Sequence, residues 1–190
     1  MREFDEMKLA RVIDACEGID GRVKMQKIIY LLRAMGYSLP FDDFTIRQHG
    51  PFSRAVACCT DVLKEAVFVE EDRERLDETA GGKPVFQYNY TIRKEIAPLV
   101  REHFEVRGPD AAPPLDEVAT FLKQQHRAVL EVAATRLFLQ REWNLDGEEL
   151  EKTLQNLKGH LRSHFIAANQ LLSELQQRGW LESISANEPT

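Results

Sequence analysis

The sequence predicts a mainly helical chain carrying one small β-hairpin, and three stretches carry that prediction. Met25, Ile28, Ile29, Leu32 and Met35 recur at helical spacing between Gly21 and Gly36, and Val23, Tyr30 and Leu31 widen the apolar arc. Residues 67–70 and 84–92 are β-branched and aromatic runs parted by a polar segment with Gly81-Gly82, the pattern of two antiparallel strands. From residue 148 to about 178, Leu150, Leu154, Leu157, Leu161, Phe165, Ala168, Leu172 and Leu175 step by three and four, as on one face of a helix.

Taken in order, residues 3–17 read as a helix with Phe4, Met7, Ala10, Ile13 and Cys16 on its apolar face. Gly18 and Gly21 bracket Ile19-Asp20, a turn whose aspartate is placed to cap the next helix. That helix is broadly apolar, which fits a segment enclosed on several sides, and Gly36 supplies its left-handed C-terminal cap. Residues 43–48 are extended, Phe44 and Ile46 alternating with Thr45 and Arg47. Gly50-Pro51 breaks this piece, and a proline suits the first turn of a helix because its missing N–H has no partner to lose there. The helix so started, about 52–66, is expected to bury Val56, Cys59, Val62, Leu63 and Ala66. A polar loop is expected over 71–83, then a helix from about Thr91 to Phe104, kinked or begun at Pro98.

The order helix, helix, short strand, helix, strand, loop, strand is that of a winged helix, so residues 1–105 are assigned to a winged-helix-like domain. Gly108-Pro109 and Pro113-Pro114 mark a linker over 106–114. A helical region follows over 115–184: one helix from Asp116 to about Trp143, a turn at 144–147, then one long helix or two parted at Gly159. Its apolar stripes would pack on the first domain or on a second copy, as a homodimer. The tail after Ile184 is expected to fray.

Composition narrows the class. No apolar run approaches the roughly 20 residues that span a bilayer, and the first residues lack the apolar core of a secretory leader, so the expected setting is cytoplasmic, with no membrane partner. Cys16, Cys58 and Cys59 offer neither a feasible bridge nor a zinc spacing and are read as reduced, packed side chains. Asn89-Tyr90-Thr91 matches a glycosylation sequon without the secretory context that would use it.

Candidate chemistry is sparse. His160 and His164 stand one helical turn apart, but the glutamate of a zinc protease motif and a third ligand are missing, so no metal is assigned. There is no nucleophile elbow and no phosphate-cradling loop, and Gly81-Gly82-Lys83 reads as a turn; no enzyme and no cofactor are expected. DNA is a possible partner through the fold, yet the charge opposes it. The chain carries a net charge of −6, and the expected wing holds Glu70, Glu71, Asp72, Glu74, Asp77 and Glu78 against Arg73, Arg75 and Lys83. The helix at the reading position offers Arg54 and Lys64 but also Asp61 and Glu65. Arg47, His49, Arg54 and Lys64 are the candidate contact surface.

Lys24-Met25-Gln26-Lys27-Ile28-Ile29-Tyr30-Leu31, followed by Gly50-Pro51-Phe52-Ser53, resembles the Panacea domain of SocA-like antitoxins and its uncharacterised YwgA-like relatives. Leu130 to Leu139 is similar to the C-terminal helical segment of that family. Met25 stands where a leucine is common, and His49 where an aromatic residue is expected. The resemblance implies a mostly helical, non-enzymatic domain that binds a protein, such as a toxin or a regulator. It carries over Lys24, Gln26, Lys27, Tyr30, Gly50 and Pro51 as motif positions. Gln26, Lys27 and Tyr30 are expected to hydrogen-bond the turn around His49-Gly50 and so to act mainly as fold determinants. The alternative function is that of a DNA-binding transcriptional regulator.

Overall fold

The computed structural model describes residues 4–78 and 84–182. Helix α1 (Asp5–Ala15) buries Leu9, Ala10, Val12 and Ile13, and Asp5 and Glu6 in its first turn complement the helix dipole. Phe4 lies outside the core and meets the Phe104 ring at 5.6 Å. After Gly18 (φ +92°), residues Ile19–Asp20 form a short strand, β1. Helix α2 (Arg22–Ala34) follows, and every residue from Lys24 to Leu32 on it is buried. The Asp20 carboxylate does not cap α2: Lys24 Nζ takes both its oxygens, at 2.9 and 3.1 Å.

The extended segment expected over 43–48 is one arm of a tight hairpin, β2 (Thr45–Arg47) paired antiparallel with β3 (Gly50–Phe52), Ile46 opposite Pro51. Pro51 is therefore a strand residue and not the start of a helix. The helix start is set two residues later by Ser53, whose Oγ accepts the Val56 N–H at 3.0 Å, opening α3 (Arg54–Glu65). Ser53 Oγ donates in turn to the Asp43 carboxylate, which also takes the Ala55 N–H at 2.9 Å. Partial burial pushes the Asp43 carboxyl up, but these hydrogen bonds outweigh it and leave the group below its ordinary value. On α3, Val56, Cys59 and Leu63 are buried as expected, whereas Val62 and Ala66 face outward.

Strand β4 (Val69–Glu78) pairs antiparallel with β5 (Pro84–Ile92), and β1 adds to the far side of β5 to give the sheet order β1-β5-β4. The acidic segment read as loop is thus largely strand; only 79–83, with Gly81-Gly82-Lys83, fall outside the described residues. Cross-strand stacking offsets its poor strand propensity: the Arg73 guanidinium lies 3.4 Å from the Phe86 ring centroid and 5.9 Å from that of Tyr88. Because β5 runs to Ile92, the next helix, α4 (Ala97–His103), begins at Pro98's turn and not at Thr91.

Residues 106–114 are strapped down. Tyr37 Oη donates to the Pro113 carbonyl at 2.6 Å, and the Ser38 N–H donates to the Arg107 carbonyl at 2.7 Å. The single helix expected over 116–143 is two, α5 (Leu115–Gln124) and α6 (Arg127–Glu142). Gln125 is extended, and His126 caps α6 by accepting the Ala128 N–H on Nδ1 at 3.2 Å. The last stripe also divides, into α7 (Gly147–Lys158), a 3-10 turn over Gly159–His164, and α8 (Phe165–Gln177).

Helices α5 and α6 pack on α1 and α2, and α8 packs on α6, so one hydrophobic core runs through both halves of the chain. Trp180 meets Phe121 edge-on at 5.4 Å, and Leu181 is buried beside it. Among the described residues no helix is long and apolar enough to cross a membrane.

Candidate functional site

The motif residues of α2 converge on the β2–β3 hairpin. Gln26 pairs with the backbone of Ser53 in both directions: Nε2 donates to its carbonyl at 2.9 Å and Oε1 accepts its N–H at 2.8 Å. Lys27 Nζ donates to the Pro51 carbonyl at 2.6 Å. Gly50 turns the hairpin at φ +85°, and a Cβ there would overlap Thr135 Oγ1 on α6 and approach the Glu131 carbonyl at 3.4 Å. Tyr30 does not join this turn. It packs between Phe44 and Phe138, at 5.1 and 5.8 Å, and its buried hydroxyl has no hydrogen-bond partner among the described residues. Lys24 is likewise spent elsewhere, on Asp20.

Behind the hairpin lies a buried ionic node. Lys158, at the end of α7, donates to Glu131 Oε1 on α6 and to the Gln48 carbonyl, each at 2.6 Å. Lys27 and Lys158 are each 1% exposed and Glu131 2%. The other Glu131 oxygen lies 3.6 Å from Nδ1 of His49, which is half exposed. The turn at residues 48–51 is therefore held from α2 by Lys27 and from α7 by Lys158, with Glu131 between them.

Two ammonium groups near one buried carboxylate leave one of them poorly compensated. Burial, which Glu131 opposes and Lys158 reinforces, pulls Lys27 down from 10.5 to about 7. Below that value both the folded and unfolded chains hold the proton, and the desolvation cost is present in full. Between about 7 and 10.5 the unfolded chain binds more protons than the folded one, so stability rises with pH across this window. Lys27→Met should flatten that rise by roughly 2 kcal/mol between neutral pH and about pH 9.5, read from urea midpoints of the two proteins.

A cavity of about 400 Å³ opens between α2, α3 and the hairpin, bordered by Lys27, Arg47, His49, Phe52 and Val56 among others. Arg47 lies across the Phe52 ring, its guanidinium carbon 4.5 Å from the centroid. Of the four contact residues read from the sequence, Arg47 and His49 meet at this cavity, while Arg54 and Lys64 do not border it. Arg54 is exposed at the start of α3. Lys64 is tied to Glu71 on β4 at 2.7 Å, and Arg22 to Asp61 on α3 at 2.6 Å. The outer side of α3 instead exposes Cys58 and Val62, the latter 39% exposed, with Val67 beyond them 51% exposed.

The two histidines four apart in the sequence do not lie on one α-helical face. His160 and His164 sit on the 3-10 turn, where residues four apart do not share a face, and His164 stacks on His126 at 5.1 Å. Among the described residues no group of three or more His, Cys, Asp or Glu side chains could hold a metal ion.

Glu131, Thr135 and Lys158 escaped the sequence reading. Glu131 had one signal: it is the only charge in Val129-Leu130-Glu131-Val132-Ala133-Ala134, an apolar run in which a buried carboxylate needs a partner. Lys158 had none, because it closes an otherwise ordinary amphipathic helix.

No family model matches the chain, and no solved structure matches it. It is similar to the uncharacterized protein YwgA of Bacillus subtilis (strain 168), 24% identical over 173 residues that cover 91% of this chain and 97% of the relative.

Proposed function

We propose that this chain is a non-enzymatic protein-interaction module of the Panacea and YwgA-like kind, antitoxin-like or regulatory, and that it binds its partner through the outer face of α3. The observation that carries this reading is the character of that face. The cations around it are spent internally, Lys64 on Glu71 and Arg22 on Asp61, while Cys58, Val62 and Val67 lie open. Arg54 alone of the cations on α3 has neither an ion pair nor a hydrogen bond from its side chain among the described residues. Exposed apolar side chains beside carboxylates favour a protein surface over phosphate.

A winged-helix reading of residues 1–105 draws support from three helices followed by the β4–β5 hairpin, with β1-β5-β4 as one sheet, although the β2–β3 hairpin stands between α2 and α3 as a second sheet. Duplex binding is the alternative that this topology favours, and the charge of α3 and β4 weighs against it. The apolar stripes after residue 115 are used inside the chain, and α8 leaves Ile166 exposed for any homodimer contact.

Titration of random duplex DNA at about 50 mM salt tests the choice, since non-specific binding is strongest at low salt. No measurable affinity is expected. Salt-sensitive binding that Arg54→Gln weakens would restore the DNA reading. Val62→Glu should abolish co-purification of the partner from the native host while leaving the unfolding midpoint within the range of a surface change, about 0.5 kcal/mol.

A further inference from the structure

Nothing in the interaction reading uses the cavity between α2, α3 and the β2–β3 turn. We propose that it is a binding site for a small amphipathic carboxylate, an aliphatic or aromatic acid whose apolar body enters between α2 and α3 and whose oxyanion meets Arg47 and His49 at the mouth.

Three features of the lining specify that chemistry. The inner wall is apolar, built from Val23 and Met25 of α2 and Val56 and Ala57 of α3, with Phe52 closing one side. A volume of about 400 Å³ lies within the range of small-molecule sites. No Asp or Glu borders the cavity, in a chain whose 31 acidic residues outnumber its 25 Lys and Arg. A cationic ligand would therefore find no counter-charge on its walls.

The fate of each nearby charge selects the group that meets the anion. Arg22 is engaged by Asp61 at 2.6 Å and by the Tyr90 hydroxyl at 2.9 Å. Glu131, the nearest buried acid, has one oxygen on Lys158 and the other facing His49. Arg47 has no carboxylate partner among the described residues; its guanidinium carbon lies 4.5 Å from the Phe52 ring centroid, and its side chain makes no hydrogen bond among them. An unpaired guanidinium resting on a ring face can receive a carboxylate, which it binds with two parallel hydrogen bonds. Lys27, 1% exposed, also borders the cavity.

The test is calorimetric titration of the full chain with octanoate, 1-octanol and octylammonium, three probes that share a body and differ in head-group charge. Octanoate is expected to bind saturably and about tenfold or more tighter than octanol, the range of one charge-assisted contact. Octylammonium is expected not to bind. Arg47→Gln, at an exposed position that leaves the fold intact, should weaken octanoate about tenfold. Ala57→Phe should abolish binding by filling the cavity, and Arg54→Gln, outside it, should change nothing. Absence of saturable octanoate binding overturns the proposal. So does octylammonium binding as tightly as octanoate, or an Arg54→Gln loss equal to that of Arg47→Gln, which would mark a non-specific charge effect.

Discussion

Lys158→Met is expected to destabilise the folded chain by about 3–5 kcal/mol, the largest effect of any single substitution at the node. The reason is what the change leaves behind. Lys158 Nζ neutralises Glu131 and satisfies the Gln48 carbonyl, both at 2.6 Å. Methionine is of similar volume and removes both interactions, so a carboxylate that is 2% exposed loses the ammonium that donates to it. His49, 3.6 Å from the other oxygen, is a weak substitute because it carries a positive charge only when protonated. Adding Glu131→Gln to Lys158→Met should recover about half of the loss, since the stranded charge leaves with the carboxylate. Urea denaturation of the wild type, the two single variants and the double variant measures the cycle. Single and double variants of equal stability would mean that Lys158 acts through packing alone.

Gly50→Ala is expected to cost about 3 kcal/mol or more through two separable terms. Its φ of +85° is a left-handed conformation that an L side chain occupies at about 1–2 kcal/mol. A methyl group there also overlaps Thr135 Oγ1 and lies 3.5 Å from Lys27 Cε, in a core where overpacking costs about 1–3 kcal/mol. Neither neighbour yields easily. Thr135 Oγ1 is held by the Glu131 carbonyl at 2.7 Å, and Lys27 by the Pro51 carbonyl. Combining Gly50→Ala with Thr135→Ala should therefore be less damaging than the sum of the two single changes, by about 1 kcal/mol, because only the steric term is relieved. Strict additivity would place the whole cost in the backbone.

The features most legible in the sequence were those that local pattern controls. The burial of α2 followed from its broad apolar arc, and the hairpin followed from the aromatic run of β5. Gln26 and Lys27 reach the turn before α3 because a polar residue inside such a helix must find a partner, and a helix ending at Gly36 sets the return of the chain. What escaped depends on residues far apart in the chain. Two residues at Ile19–Asp20 hold no strand pattern, and only their pairing with Tyr90 and Asn89 makes them one. The acidic run 70–78 lacks strand propensity and is strand because β5 supplies the partner surface. The break at Gln125–His126 interrupts no apolar period, and the cap that marks it is a histidine, not one of the usual capping residues. Tyr30 fitted the expected turn by its chemistry alone; it lies one helical turn beyond Gln26 and Lys27 on α2, where it packs between Phe44 and Phe138.

The site divides the same way. Arg47 and His49 were singled out for their charge and do meet, but the node behind them joins residues 27, 131 and 158, which no local pattern connects. Four of the motif positions meet at the hairpin: Gln26 bonds the Ser53 backbone, Lys27 the carbonyl that Pro51 supplies, and Gly50 lies against Thr135.

If that node joins the two halves of the chain, they unfold as one unit. Native-state hydrogen exchange measures this most directly, by comparing the opening free energies of amides in α2 (Ile28 to Leu32) and α6 (Leu130 to Ala134). The two segments should open with the same free energy, and Lys158→Met should lower both by the same amount. Amides of α6 opening well below those of α2, with α2 unchanged in the variant, would contradict a single cooperative core.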